Sequence, residues 1–415
     1  MAADRSLPGC APMRPTGSTV RPDDAAAASL EKPALSLFPE SLIRHLSTST
    51  GSTSDHRQTR WRQTHARSVF LSKLANVLER LLQQAIVQIL TPVFDPSFSE
   101  SSYGFRPKRS AHGAAKQVQR TIRRGYQYAV DMDLSKFFDR CQHDVIMARV
   151  ARKVDDKQVL KLIGRYLRAG VIVEGVFQPT TEGTPQGGPA SPLLANILLD
   201  DLDKELERRG LPFVRYADDF VIFTKSRRSA ERVFSSITRY LTTHLRLVVN
   251  LEKSRIVPSS EVEYLGFVFR GSRATINVSD KSIVRFKHRI REITGRSRGI
   301  SMDRRLGELQ RFVRGWMGYF GLASQLKLFA SLEQWIRRRI RCCYWKRWRH
   351  VRTRRRVLIA LGVSPRQAAR HARSRKGPWH MAKTIASGVG MTNAWLQAQG
   401  VLSLKSLWAE LAQLR

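Results

Sequence analysis

The sequence predicts an α+β chain followed by an all-helical basic domain, and three observations lead there. Two short apolar runs, Phe213–Ala217 and Phe220–Thr224, flank a two-residue turn, the pattern of an antiparallel hairpin. Longer segments repeat apolar residues every three or four positions, the period of an amphipathic helix. Charge is also segregated. Residues 281–380 hold 28 Lys and Arg against only Glu292, Asp303, Glu308 and Glu333.

Taken in order, residues 1–66 are rich in Ala, Ser, Thr and Pro, with little sustained periodicity, and read as weakly ordered chain. A helix follows from about Leu71 to Leu90, carried by Leu74, Val77, Leu81, Leu82, Ala85, Ile86, Ile89 and Leu90. A strand is expected at Tyr128–Met132 and a helix from about His143. Strand-like Val171–Phe177 leads into a Gly/Pro loop, Glu182–Pro189. Ser191 reads as an N-cap, Pro192 as the first helical position and Gly210 as the helix end. Between them Leu194, Ile197, Leu198, Leu202 and Leu206 form one apolar stripe. After the hairpin come a helix near 229–244, a strand pair around Leu247 and Tyr264–Phe269, and basic helices near 280–294, 302–322 and 328–349. The expected division is an altered N-terminus over 1–66, a mixed domain over 67–275, a helical domain over 276–350 and a basic extension over 351–415.

A chain of 415 residues, 42% hydrophobic, holds about two to three domains and at least one sizeable core. Its net charge of +38 makes a field that attracts polyanions, above all phosphodiester backbones. No apolar stretch approaches the ~18 residues of a membrane span. Asp4, Asp23, Asp24 and Glu31 interrupt the start, which lacks a clean signal core. Cys10, Cys141, Cys342 and Cys343 form neither a disulfide scaffold nor a paired zinc motif. The expectation is a cytoplasmic protein without a membrane partner.

Chemistry is sought among the carboxylates. Asp218 and Asp219 occupy a tight turn between apolar strands, and desolvating two like charges is costly unless a cation compensates. Hard oxygen ligands suit magnesium, which keeps waters and substrate phosphates as its other ligands. The plain alternative is a solvated Asp-Asp turn. Asp131 and Asp133 end the strand at Tyr128–Met132 and share a face by period-two alternation. If that strand lies beside the hairpin, Asp133 and Asp218 can converge on two metal ions, the standard device of phosphoryl transfer. The alternative there is a capping aspartate in a structural ion pair.

Tyr216-Ala-Asp-Asp219, with Asp133 five residues before Phe138, resembles the palm motifs of reverse transcriptases. Ser102-Tyr-Gly-Phe-Arg-Pro107, Glu182-Gly-Thr-Pro-Gln-Gly-Gly-Pro-Ala-Ser-Pro192, Asn250-Leu-Glu-Lys-Ser254 and Tyr264-Leu-Gly-Phe267 resemble the blocks of bacterial group II intron-encoded proteins. Gln310-Arg-Phe-Val-Arg-Gly-Trp-Met-Gly-Tyr-Phe320 is similar to that family's maturase region. The resemblance implies a right-hand polymerase using two magnesium ions and binding an RNA template, a DNA primer, dNTPs, target DNA and the intron RNA itself. It makes Asp133, Asp218 and Asp219 metal-holding catalytic residues, with Lys253 near the leaving pyrophosphate. Phe138, Gln186, Gly187 and Arg106 take nucleotide-binding positions, with Phe138 crowding a ribose 2′-hydroxyl. Tyr264, Leu265 and Gly266 take the primer grip.

In the basic helices the aromatic residues repeat at helical spacing and read as core, which leaves the arginines for phosphate oxygens. Arg337, Arg338, Arg339, Lys346, Arg347, Arg349, Arg354, Arg355 and Arg356 are the expected RNA contacts. One departure stands out. The family usually places a hairpin with a Lys-Pro-Gly-Gly-like turn and an Arg-Pro-Leu-Gly-Ile-Pro strand before the helix near Leu74, whereas this chain reads Arg57-Gln-Thr-Arg-Trp-Arg-Gln-Thr-His-Ala-Arg-Ser-Val-Phe-Leu-Ser-Lys73. That implies a remodelled or frameshifted start and leaves two rival readings open. One is a splicing factor with impaired catalysis; the other is a retron or CRISPR-associated reverse transcriptase.

Overall fold

The computed structural model describes residues 61–168, 171–173, 176–178, 182–184 and 188–413. The weakly ordered segment expected before residue 61 lies outside them. Helix α1 (Trp61–Phe94) starts ten residues before the expected Leu71 and contains Pro92. Ile86, Leu90 and Phe94 are buried, whereas Val77 and Leu81 are exposed despite their helical spacing. Residues 61–73 are helical, where the family usually places a hairpin and this sequence departs from its pattern.

Helix α2 (Ala111–Arg123), capped by Ser110, precedes strand β1 (Tyr128–Met132), which has the expected bounds. Short α3 (Phe137–Arg140), α4 (His143–Val150) and α5 (Lys157–Leu167) follow. The single strand expected near Val171 is a tight hairpin, β2 (Val171–Val173) with β3 (Val176–Gln178). Helix α6 (Ser191–Arg208) corrects the cap assignment. Its N-cap is Ala190, and Ser191 lies in the first turn, where its hydroxyl meets Tyr166 Oη at 3.1 Å. The C-terminus ends as Gly210 predicts. Gly210 has φ +63°, and Leu211 and Gly210 donate to the Leu206 and Glu207 carbonyls.

Strands β4 (Phe213–Tyr216) and β5 (Asp219–Thr224), then α7 (Arg227–His244) and β6 (Arg255–Pro258), complete a four-stranded antiparallel sheet in the order β4-β5-β1-β6. Both faces of the sheet are covered. Val130, Met132, Phe220 and Ile222 face a core shared with Ile146, Leu198, Leu202 and Ile237. Their alternating neighbours Ala129, Val214, Val221 and Phe223 face Ala114, Val118, Tyr264 and Phe267. A one-residue slip would exchange the two sets, so the register of the acidic strand ends is fixed by packing.

A second sheet holds β7 (Glu263–Tyr264), β8 (Phe267–Arg270) and β9 (Thr275–Val278). The expected pairing of Leu247 with Tyr264–Phe269 does not occur. The 247–249 segment lies instead beside Leu134, and β8 finds its partners locally in β7 and β9.

Helices α8 (Asp280–Ile293), α9 (Met302–Phe320) and α10 (Leu326–Arg347) build the basic domain around Phe286, Trp316, Phe329 and Trp345. Residues 351–413 are not an appended tail. They fold as α11 (Val351–Ala360), α12 (Pro365–Ala372), α13 (Pro378–Met381), α14 (Ile385–Gly390), α15 (Asn393–Ala398) and α16 (Leu404–Gln413). Leu358, Val363, Met381, Met391, Leu396 and Leu404 enter the same core as Trp345. The result is an antiparallel sheet with helices on both faces and an all-helical domain behind it, the right-hand polymerase arrangement. No helix among the described residues is long and apolar enough to cross a membrane.

Candidate active site

Register brings the four aspartates to one end of the sheet. Asp131 pairs with Val221 and Met132 with Phe220, so Asp133, one residue beyond, lies opposite Asp219, one residue before. Residues directly opposite share a face, which puts Asp131, Asp133 and Asp219 on the same side. Asp218 sits in the turn between Tyr216 and Asp219, behind Ala217 at φ +58°. A hairpin ordinarily places glycine, asparagine or aspartate where the backbone takes that sign.

The carboxylates feel one another. Burial, with Asp131, Asp218 and Asp133 adding to it, pushes the Asp219 carboxyl up to about 7, although the side chain still opens to solvent. Burial also raises Asp218, with Asp133 contributing. Asp131 is raised mainly by burial, against the opposing pull of Arg255, whose Nε stands 3.2 Å away. A bound cation would relieve both the burial cost and the repulsion between these carboxylates. Among the described residues no three His, Cys, Asp or Glu side chains converge closely enough to hold an ion alone. A hard divalent cation that keeps waters and phosphate oxygens as ligands fits this open donor set.

The Asn250–Ser254 block closes around Asp133. Asn250 donates its N–H to the Asp133 carbonyl at 2.8 Å, and Ser254 Oγ accepts the Asp133 N–H at 3.0 Å. Asn250 Oδ1 accepts from the Glu252 and Lys253 amides, forming a turn that sets Lys253 Nζ 3.5 Å from Asp133 Oδ2. Phe138 is half-buried, edge-on to Phe137. Its carbonyl accepts the Thr184 N–H at 2.6 Å, and Gly183 (φ +90°) lies where a Cβ would press on the Phe138 and Asp139 carbonyls. His143 Nε2 reaches the Gly183 carbonyl at 2.6 Å. The start of the loop is thus docked on Phe138. Gln186 and Gly187 themselves lie outside the described residues.

Several expected site residues are committed elsewhere. The Arg106 guanidinium is buried against Asp95 (2.7 Å) and donates to the Ser99, Ser102 and Asp95 carbonyls. It is a structural strut with almost no donor left for a nucleotide. Tyr264 is 1% exposed, and its hydroxyl donates toward the Val214 and Asp219 carbonyls, so the side chain braces the acidic hairpin from within the core. Leu265 (φ +52°) and Gly266 (φ +77°) do form a partly exposed turn. Tyr319 Oη donates to the Leu265 carbonyl at 3.0 Å, and a Cβ on Gly266 would meet Ser282 and Phe320.

The basic residues divide in the same way. Arg337 pairs with Glu333. Arg338 lies 3.8 Å over the Trp379 ring and donates to its carbonyl. Arg339 bonds Thr294 and faces Trp335, while Arg354 donates to the Trp348 carbonyl at 2.7 Å over Trp345. These four hold the domain together. Lys346, Arg347, Arg349, Arg355 and Arg356 are exposed. The buried cysteines belong to packing: desolvation pushes Cys141 to about 12 and Cys342 to about 11.

Residues 68–269 match the family described as reverse transcriptase (RNA-dependent DNA polymerase), and residues 283–360 match the group II intron maturase-specific domain. Protein YkfC of Escherichia coli is 30% identical over 234 residues, 47% of this chain and 60% of that protein. The group II intron-encoded protein LtrA of Lactococcus lactis is 28% identical over 269 residues, 49% of this chain and 45% of that protein. The chain therefore spans about half the length of these curated relatives. A solved telomerase of Candida tropicalis with a fragment of telomeric RNA aligns at 13% identity, over 85% of this chain and 60% of that one, with a TM-score of 0.40.

Proposed function

The chain belongs to the group II intron-encoded reverse transcriptases and maturases, and we propose that it extends a DNA primer on an RNA template and binds its intron RNA to assist splicing and mobility. One observation carries the polymerase reading: packing fixes the register that sets Asp133 and Asp219 opposite each other, with Asp218 in the adjoining turn. Asp133, Asp218 and Asp219 would hold two magnesium ions, which when bound activate the primer 3′-hydroxyl and offset charge on the reacting phosphate.

The chain's own residues supply the rest. Lys253, tethered beside Asp133 by the Asn250 turn, offers a cation to the leaving pyrophosphate. Phe138 presents a half-buried ring to the sugar and favours deoxynucleotides. The Leu265–Gly266 turn, braced by Tyr319, supports the primer end. Gln186 and Gly187 would line the nucleotide from the loop anchored at Gly183 and Thr184. The exposed Lys346, Arg347, Arg349, Arg355 and Arg356 would meet RNA phosphates.

The helical course of residues 61–73, where the family usually places a hairpin, favours a second reading, an RNA-binding splicing factor with an idle palm. Incorporation of a labelled dNTP onto an RNA-templated primer separates the two. The polymerase reading expects Mg²⁺-dependent extension that disappears in Asp218→Ala. Tight RNA binding without extension in the unmodified chain would establish the splicing factor instead.

A further inference from the structure

The strand that leads into the acidic turn contains one charged residue, Arg215, and it is wholly buried (0% exposed). Its guanidinium grips Asp203 of α6 at two points, Nε to Oδ1 at 2.8 Å and Nη2 to Oδ2 at 2.5 Å. The remaining arm, Nη1, donates to Asn196 Oδ1 at 2.8 Å and to the Ala217 carbonyl at 2.9 Å. That carbonyl belongs to the peptide bond joining Ala217 to Asp218. Asn196, also buried, donates its Nδ2 to the Gly104 carbonyl at 2.9 Å.

The main chain is clasped as well. Arg215 donates its N–H to the Ser101 carbonyl at 2.9 Å, and its own carbonyl accepts the Tyr103 N–H at 2.8 Å. Gly104 then passes so close beneath the turn that any β-carbon there would overlap the Ala217 nitrogen. Ala217 itself has φ +58°. A non-glycine residue keeps such a backbone only where its surroundings over-determine it. A buried ion pair is in turn weak evidence for stability, since apolar residues of like volume often serve as well. What apolar residues cannot do is hold a carbonyl oxygen in place.

We propose that Arg215, braced by Asp203 and Asn196, is a positioning residue that sets the Ala217 turn and thereby the direction in which Asp218 presents its carboxylate. It touches neither substrate nor metal and acts through the Ala217 carbonyl. The proposal rests on the assignment of Asp218 as a metal-holding residue.

The test measures Mn²⁺ binding to the full chain by electron paramagnetic resonance, with no substrate present, beside thermal unfolding and primer extension. Three variants are compared: Arg215→Lys, which keeps the charge but not the fork; the apolar pair Arg215→Met with Asp203→Leu; and the milder Asn196→Ala. In each variant that unfolds cooperatively, the proposal expects Mn²⁺ affinity to fall about tenfold, and about threefold for Asn196→Ala. The extension rate should fall further than the nucleotide KM changes. Folded variants with unaltered Mn²⁺ affinity and rate would overturn it. Because Asn196→Ala leaves the ion pair intact, it tests the same point even if the other two fail to fold. Asp218→Ala is the separate control. If it leaves Mn²⁺ binding unchanged, the metal assignment fails whatever the Arg215 variants do.

Discussion

Lys253 shows how a side chain's surroundings separate chemistry from packing. It is 71% exposed and 3.5 Å from Asp133, and an exposed pair contributes only about 0–1 kcal/mol to stability. Lys253→Ala is therefore expected to leave the melting temperature within about 2–3 °C. Nucleotide addition should slow by about 10²-fold, the lower end for losing one electrostatic contact to charge developing on the leaving group. A matching fall in stability, with addition unchanged, would assign the lysine to structure. Asp200 behaves oppositely. Burial pushes its carboxyl up to about 6, and its Oδ1 has no hydrogen-bond partner among the described residues. Because the folded value exceeds the unfolded one near 3.8, the group's contribution is fully present below about pH 4 and is lost as pH rises through 6. Asp200→Asn should stabilise the chain by about 1–2 kcal/mol at pH 8 and hardly at all at pH 4, as read from urea unfolding at both. The acidic residues were legible because strand alternation and a two-residue turn are written in the sequence. Arg106 and Tyr264 were not, because a motif names a residue without naming the carbonyls it is buried against. Arg215 left a fainter signal: a charge inside an apolar strand, answered by Asp203 on the leucine stripe of α6.

Elements were legible where local chemistry decides them. β1, the acidic hairpin and the three basic helices follow from periodicity, and Gly210 ends α6 as its positive φ requires. β6 was invisible because Arg255–Pro258 has little apolar alternation and pairs only through β1. The packing of the C-terminal helices is illegible for a similar reason. Each is too short to show a stripe of its own, and their burial depends on α10. Glu333 is the main clasp. It pairs with Arg337, and its Oε2 accepts from Ser403 Oγ at 3.1 Å and the Lys405 N–H at 3.2 Å. Trp408 Nε1 adds a bond to the Ala323 carbonyl at 2.8 Å. Glu333→Ala leaves a half-buried arginine unpaired and α16 unlatched, and should cost about 2–4 kcal/mol in chemical denaturation. A cost below about 0.5 kcal/mol would show that the segment is indeed an appended tail.

At the scale of the molecule, charge outweighs every other feature. From residue 334 to residue 409 the chain has 18 Lys and Arg and no Asp or Glu. That imbalance was legible without a structure, but the division of labour among the arginines was not. Neutralising about 6–10 phosphates would make RNA affinity fall about 10³–10⁵-fold between 50 and 200 mM salt. Replacing Arg349, Arg355 and Arg356 together by Gln should flatten the salt slope by about two to three and leave the melting temperature unchanged. Arg339→Gln should do the reverse, because its guanidinium is spent on Thr294 and Trp335. Filter binding across a salt series, beside thermal melts, distinguishes the two groups. Equal effects on RNA from both would mean that the internal contacts yield to RNA.

The most direct measurement is single-turnover primer extension by the purified chain on an RNA template, with Mg²⁺ and dNTPs, beside Asp133→Asn. A working carboxylate site gives templated extension that falls by at least about 10³-fold in the variant, with RNA affinity and melting temperature unchanged. Extension that survives in Asp133→Asn would contradict it, because the carboxylates gathered at the end of the sheet would then not be the site of the reaction.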